Sequence, residues 1–272
     1  MKCKLIASDL DGTLLDSKGK LSPANLKAIT ELANMGVIFV PTTGRAFYEM
    51  PECIRNHTDI RYFISSNGAV VYDKKTGDKI QTLMDVDTVS ELHSKMKKFD
   101  LWIIHHKNDY AFTEAKLLNK RILDDYKIPE KFQKQLFECT KVVDDLDNNL
   151  LDGNPFAMIC GCFAVPEQRE AFIKEIQNVS NIHCTASSSF IVEIVKENAG
   201  KHNAIAALIQ KLGFTTDEII TIGDSTNDLE MIKMTKNSVA VSNGMDIIKE
   251  NAGYIGPTND ENILKFILNE YI

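Results

Sequence analysis

Near the N-terminus the apolar run Leu5-Ile6-Ala7 empties, after Ser8, into Asp9-Leu10-Asp11-Gly12-Thr13. An extended segment sends residues i and i+2 to the same side. Asp9 and Asp11 therefore share one small volume at a strand end if the extended geometry persists that far. Gly12 lets the chain turn sharply there. Two adjacent carboxylates repel each other, and a bare pair raises one pKa. A hard divalent cation relieves that repulsion, and carboxylate oxygens are the ligands magnesium prefers. One carboxylate beside a metal and a second acid together can do nucleophilic and acid–base work. Taken alone, Asp, Gly and Thr also suit a solvated turn, so the rest of the chain must decide.

Two stretches alternate strand and helix in the way a parallel sheet requires. In the first, Ser22-Pro23 is a helix start, with a stop at Gly36. Val37–Val40 and Arg61–Ser65 read as buried strands, and a helix is expected from Ala46. In the second, a helix over Ala199–Leu212 leads to strands Glu218–Ile222 and Ser238–Val241 and a closing helix, Asn259–Tyr271. Between them the order is mixed: a helix near Asp87–Phe99, strands Leu101–His105 and Tyr110–Thr113, a helix over Glu114–Tyr126 and another after Pro129. An Asp/Asn-rich stretch, then strand Phe156–Ala164, helix Pro166–Asn178 and strands His183–Ala186 and Phe190–Val195 complete it. The expected fold class is α/β, a Rossmann-like parallel-sheet core built from residues 1–82 and 197–272. An α+β cap over residues 83–196 is inserted into it.

Composition narrows the function. A formal net charge of -7 argues against a protein built to bind nucleic acid or an anionic membrane surface. No apolar run reaches membrane-spanning length, and the N-terminus lacks a signal-peptide pattern. Six cysteines lack framework spacing, and Cys160 and Cys162, in an apolar strand-like run, read as reduced core residues rather than a metal site. The expected location is the cytoplasm, the expected assembly a monomer or small homo-oligomer.

Four loops follow predicted parallel strands: Asp9–Thr13, Thr42–Arg45, Ser65–Ala69 and Gly223–Asp228. Open α/β sheets bind ligands at the carboxyl ends of their strands. Asp9, Asp11 and Asp224 offer oxygen ligands for magnesium. Thr43, Asn227 and nearby backbone N–H groups offer neutral donors to an anion, and Lys201 a cation. A phosphoryl group needs this mixture, because its transfer is catalysed mainly by positioning and charge stabilisation.

Asp9-Leu-Asp11-Gly12-Thr13, Thr43-Gly44-Arg45, Lys201 and Gly223-Asp224-Ser-Thr-Asn227-Asp228 resemble the four ordered motifs of the haloacid dehalogenase superfamily. Asn67-Gly68-Ala69, the insert and Val239-Ala-Val-Ser-Asn-Gly244 resemble its Cof-like phosphatases. The resemblance implies that Asp9 attacks phosphorus and that Asp11 protonates the leaving oxygen, then activates water. It implies magnesium held by Asp9, the Asp11 main-chain carbonyl and Asp224, with Asp228 orienting Lys201 or a metal-bound water. It places Thr43, Gly44, Lys201 and Asn227 around the phosphate. The residue after the lysine is commonly Gly in that branch and is His202 here.

Alternatives stay open at several positions. Arg45 reads as a structural or substrate-side cation. Asn67-Gly68 is a hairpin turn or a substrate loop. Asp224 and Asp228 also suit helix capping. His105 and His106, neighbours on a strand, point opposite ways and fit core or surface better than a metal pair. The expected partner is a small phosphate ester and the expected activity its magnesium-dependent hydrolysis. A phosphomutase and a non-catalytic phosphate sensor are the alternatives.

Overall fold

The computed structural model describes residues 3–126, 128, 130–185 and 190–272. The described residues fall into two compact units, one within the spans 1–44, 50–81 and 200–272, the other within 45–49 and 82–199.

In the first unit Leu5–Ser8 lies at the centre of the chemistry-bearing edge. It pairs in parallel with Ile219–Gly223 on one side and Ile38–Pro41 on the other. Ser238–Val241 and then Tyr254–Gly256 extend this five-stranded parallel sheet beyond Ile219–Gly223. All four residues of Leu5–Ser8 are buried, without alternation. That is the pattern of a parallel strand covered on both faces. Leu5, Ala7 and Ile219 pack with Ile205 and Leu208 of helix Lys201–Leu212 and with Met231. Helix Pro23–Asn34 starts at Ser22, whose side chain accepts from the Asn25 N–H. Tyr62–Ser65, Val70–Asp73 and Lys79–Gln81 make an antiparallel meander. It meets the edge strand through a parallel bridge between Thr42 and Ile64.

The second unit is a six-stranded sheet in the order Ile182–Thr185, Ile191–Lys196, Met158–Phe163, Leu101–Lys107, Tyr110–Glu114, Lys141–Val143. Only the last pair is parallel. Helices Val86–Met96 and Pro166–Ile176 cover one face: Val89, Leu92, Met96, Phe172 and Ile176 pack on Leu101, Ile103, Ile159, Phe163, Val192 and Ile194. Cys160 and Cys162 are buried thiols, and all six cysteines are free.

Several elements depart from their expected bounds. The helix expected over Glu114–Tyr126 is a short 3-10 turn, Ala115–Leu117, then a separate helix, Lys120–Asp125. Asn119 breaks it by capping: its side chain accepts from the Ile122 N–H at 3.0 Å. The helix expected from Ala46 is a single turn, Phe47–Glu49, and a short helix, Glu52–Arg55. Pro51 between them disfavours helical geometry at the residue before it. Strand Ile182–Thr185 falls where His183–Ala186 was expected; Ala186 lies outside the described residues, as does Pro129.

Candidate active site

The site assembles at the carboxyl ends of three adjacent strands. Leu5–Ser8 delivers Asp9 and Asp11, Ile38–Pro41 delivers Thr43 and Gly44, and Ile219–Gly223 delivers Asp224, Asn227 and Asp228. Lys201 enters from the first turn of its own helix. Lys201 is 2% exposed, Asp9 4% and Asp228 0%. The ammonium donates to Asp9 Oδ1 and to Asp228 Oδ1, each at 2.6 Å. Asp228 Oδ2 accepts from the main-chain N–H groups of Asp224 and Ser225, each at 3.0 Å. Asp224 Oδ1 in turn accepts from the Thr13 hydroxyl at 2.8 Å.

Close backbone approach makes this possible. Gly12 sits at φ +84°, and a Cβ there would lie 2.5 Å from Asp224 Oδ2. Gly68 sits at φ +87°, and its Cβ would lie 2.2 Å from the Gly200 carbonyl oxygen, one residue before Lys201. The Asn67 N–H donates to the Thr43 carbonyl, and the Thr43 N–H to that of Ile64, each at 3.0 Å. Ser66–Gly68 is thus the turn joining Tyr62–Ser65 to Val70–Asp73. It also brings Asn67 Oδ1 within 3.1 Å of the Asn227 Nδ2 that donates to it.

Negative charge exceeds positive in this buried space. Burial drives the Asp9 carboxyl well above its usual range; Lys201 opposes the shift, while Asp228, Asp224 and Asp11 reinforce it. Burial, then Asp228, pushes Asp224 up to about 7 against the hydrogen bond from Thr13. Burial acts to discharge Lys201, but Asp228 and Asp9 outweigh it and hold the ammonium charged. One carboxylate oxygen from each of Asp9, Asp224 and Asp228 falls within 4.8 Å of the others. An all-oxygen set with surplus negative charge fits a hard divalent cation. Both oxygens of Asp228 already accept hydrogen bonds, so Asp9 and Asp224 are the carboxylates better placed to receive one.

Asp11 is half-buried in the turn and forms a bridge with Leu15. Arg45 belongs to the second unit, where its Nη1 donates to the Glu49 carbonyl at 2.9 Å. His105 and His106 are both buried in that unit: His105 Nε2 lies 3.1 Å from His93 Nδ1, and His106 Nε2 lies 3.5 Å from Glu49 Oε2. Sequence reasoning missed Ser225, whose hydroxyl donates to Asn227 Oδ1 at 2.6 Å. Its signal was legible as a capping box with Asp228. Sequence reasoning gave no role to Thr13, which steadies Asp224.

The model of the haloacid dehalogenase-like hydrolases matches residues 6–267. Over 258 residues the chain is 30% identical to the 5-amino-6-(5-phospho-D-ribitylamino)uracil phosphatase YcsE of Bacillus subtilis, covering 95% of this chain and 91% of that protein. Over 289 residues it is 27% identical to the phosphatase YwtE of the same organism, named for the same substrate, covering 100% and 98%. A solved haloacid dehalogenase-like hydrolase from B. subtilis superposes with a TM-score of 0.85 at 25% identity, covering 100% of both chains. This chain belongs to the haloacid dehalogenase-like hydrolases.

Proposed function

We propose that this hydrolase is a magnesium-dependent phosphatase of small phosphate monoesters that works through an aspartyl-phosphate on Asp9. The observation that carries the reading is the buried Lys201 ammonium held between Asp9 and Asp228, with Asp224 in the same cluster. Such an arrangement fixes one carboxylate as a nucleophile and leaves charge for a cation to balance.

In the first step an Asp9 oxygen bonds to phosphorus as the ester P–O bond breaks. Asp11 gives its proton to the departing oxygen. In the second step water attacks the same phosphorus, Asp11 takes its proton, and the Asp9–phosphorus bond breaks to release inorganic phosphate. Lys201 holds Asp9 in place and offsets charge on the phosphoryl oxygens. Asp228 fixes Lys201 and the Asp224 main chain. Thr43, Gly44 and Asn227 donate to the phosphate. Magnesium, held by Asp9, Asp224 and the Asp11 carbonyl, would neutralise charge on the transferring group.

Residues 83–196 are read as a cap that selects the leaving group. Sugar phosphates and phosphorylated cofactors form the expected substrate class. The relatives' names make a phosphorylated ribityl compound the first to try. Free cysteines throughout support a reducing, cytoplasmic setting.

The test is a screen of phosphorylated metabolites with magnesium, reading released phosphate. Release without a bisphosphate activator separates a phosphatase from a mutase. Asp9→Asn is expected to keep the fold and lose several orders of magnitude in kcat. Near-wild-type release by that variant would overturn the mechanism.

A further inference from the structure

Residues 242–245 follow strand Ser238–Val241 and carry none of the groups assigned above, yet they bind two of the site's loops at once. The Met245 N–H donates to the Asp224 carbonyl at 2.8 Å. Asn243 Nδ2 donates to the Gly12 carbonyl at 2.8 Å. Asn243 Oδ1 accepts from the Asn259 N–H at 2.8 Å, and Asn259 Nδ2 donates to the Leu15 carbonyl at 2.9 Å. The turn that carries Asp11 is thus held at Gly12 and again at Leu15, by asparagines 231 and 244 residues away in sequence. Gly244 permits the approach: a Cβ there would lie 2.9 Å from the Val241 carbonyl oxygen and 3.1 Å from Asp224 Cα.

We propose that residues 242–245 are a clamp that sets the spacing between the Asp11 turn and Asp224, with Asn243 a positioning residue for Asp11. Asn243 acts through the Gly12 carbonyl. Because its partner is the main-chain oxygen of the residue that follows the acid, loss of the bond frees the turn without removing any reacting group. Gly244 and the Met245 N–H act on the other side, through the main chain of Asp224. The proposal rests on the reading that Asp11 is the acid and base and Asp224 a cation ligand.

The experiment is single-turnover phosphorylation of Asn243→Ala on an alkyl phosphate and on an aryl phosphate with a good leaving group. The alkyl ester needs the proton more. Its rate is expected to fall about tenfold or more, and the aryl rate by about threefold or less. Asn243→Ala added to Asp11→Asn should then cost nothing further, because the two act as one unit. The melting temperature should not follow the loss, since Asn243 is exposed. Equal losses on the two esters, or an undiminished effect in the Asp11→Asn background, overturn the Asn243 half. Gly244→Ala should weaken magnesium binding to the resting protein, read by calorimetry. Unchanged affinity in Gly244→Ala overturns the Asp224 half. If the wild-type protein releases phosphate from no ester, or Asp11→Asn keeps full activity, the phosphatase reading fails instead. Calorimetry on Gly244→Ala still tests the clamp in that case. Should Gly244→Ala not fold, Met245→Pro gives the same readout: Met245 sits at φ -60°, which proline fits, and the change removes the N–H that donates to the Asp224 carbonyl.

Discussion

Asp228 and Asp9 share one ammonium, but their surroundings give them different tasks. Asp228 spends both oxygens on donors: Lys201 and the N–H groups of Asp224 and Ser225. Removing it leaves a buried lysine short of a partner and two N–H groups unsatisfied. Asp228→Ala is expected to destabilise the protein by about 3 kcal/mol or more, measured by denaturant unfolding. Asp9 is a carboxylate that burial makes costly to ionise. Asp9→Asn should therefore raise the melting temperature of the metal-free protein at pH 8 while abolishing turnover, a trade of stability for function. A lowered melting temperature there would contradict the electrostatic account. Asp224 gives the pH dependence. Its carboxyl rises from an ordinary 3.8 to about 7 in the folded protein. The folded state then holds the proton more tightly than the unfolded chain. The stability it contributes is full below the unfolded value and is lost as pH rises through the folded one. Metal-free protein should lose stability between about pH 4 and pH 7, and Asp224→Asn should flatten that part of the profile. Magnesium should bind more tightly as pH rises through the same window, because binding must expel the proton.

At the scale of the element, the glycines between elements do different work. Gly36 closes helix Pro23–Asn34 at φ +79°, with nothing within 4 Å of an added Cβ. Gly36→Ala should cost only left-handed backbone strain, about 1–2 kcal/mol. Gly68 has a similar φ, +87°, but its Cβ would collide with backbone at Gly200. A main-chain carbonyl at the head of a packed helix cannot yield as a side chain can. Gly68→Ala should cost about 3 kcal/mol or more. It should also lower kcat, by shifting Lys201, while Gly36→Ala leaves kcat alone. Parallel unfolding and rate measurements on the two variants check both statements. Similar effects from the two would mean that the Ser66–Gly68 turn is a hairpin and nothing more.

The chain keeps the assigned chemistry apart from its second unit. Every residue assigned to phosphoryl transfer lies in the first unit, and each unit has its own apolar core. On the second unit's sheet, helices Val86–Met96 and Pro166–Ile176 pack on the face of Leu101, Ile103 and Ile159. Trp102, Ile104, His106 and Cys160 alternate with them and occupy the other face. Glu193 pairs beside Cys160 there. Buried polar groups on one face of a sheet whose other face is an apolar core suit recognition better than folding. If the cap reading holds, His106→Ala and Glu193→Gln should change relative kcat/KM among phosphate esters tenfold or more, ~1.4 kcal/mol. Magnesium affinity should barely move. An unchanged substrate ranking in both would count against the cap as the reader of the leaving group.

Much of this protein was legible in the chain itself, because the signals are local. Strand Leu5–Ser8, its two aspartates and Gly12 lie within a few residues of one another, and so do Gly223, Asp224 and Asp228. Apolar periodicity places their elements, and residue chemistry states what they can bind. Tertiary structure alone decided three things. It put Arg45–Glu49 with the second unit, although that segment continues the first unit's Thr43 loop. It pressed Gly68 onto Gly200 and Asn67 onto Asn227. It brought Asn243 and Asn259 to the two ends of the Asp11 turn. None of these has a local signature, because each depends on which strands become neighbours. Parallel pairing lines up carboxyl ends from opposite ends of the chain, and only the packed sheet fixes which loops then touch.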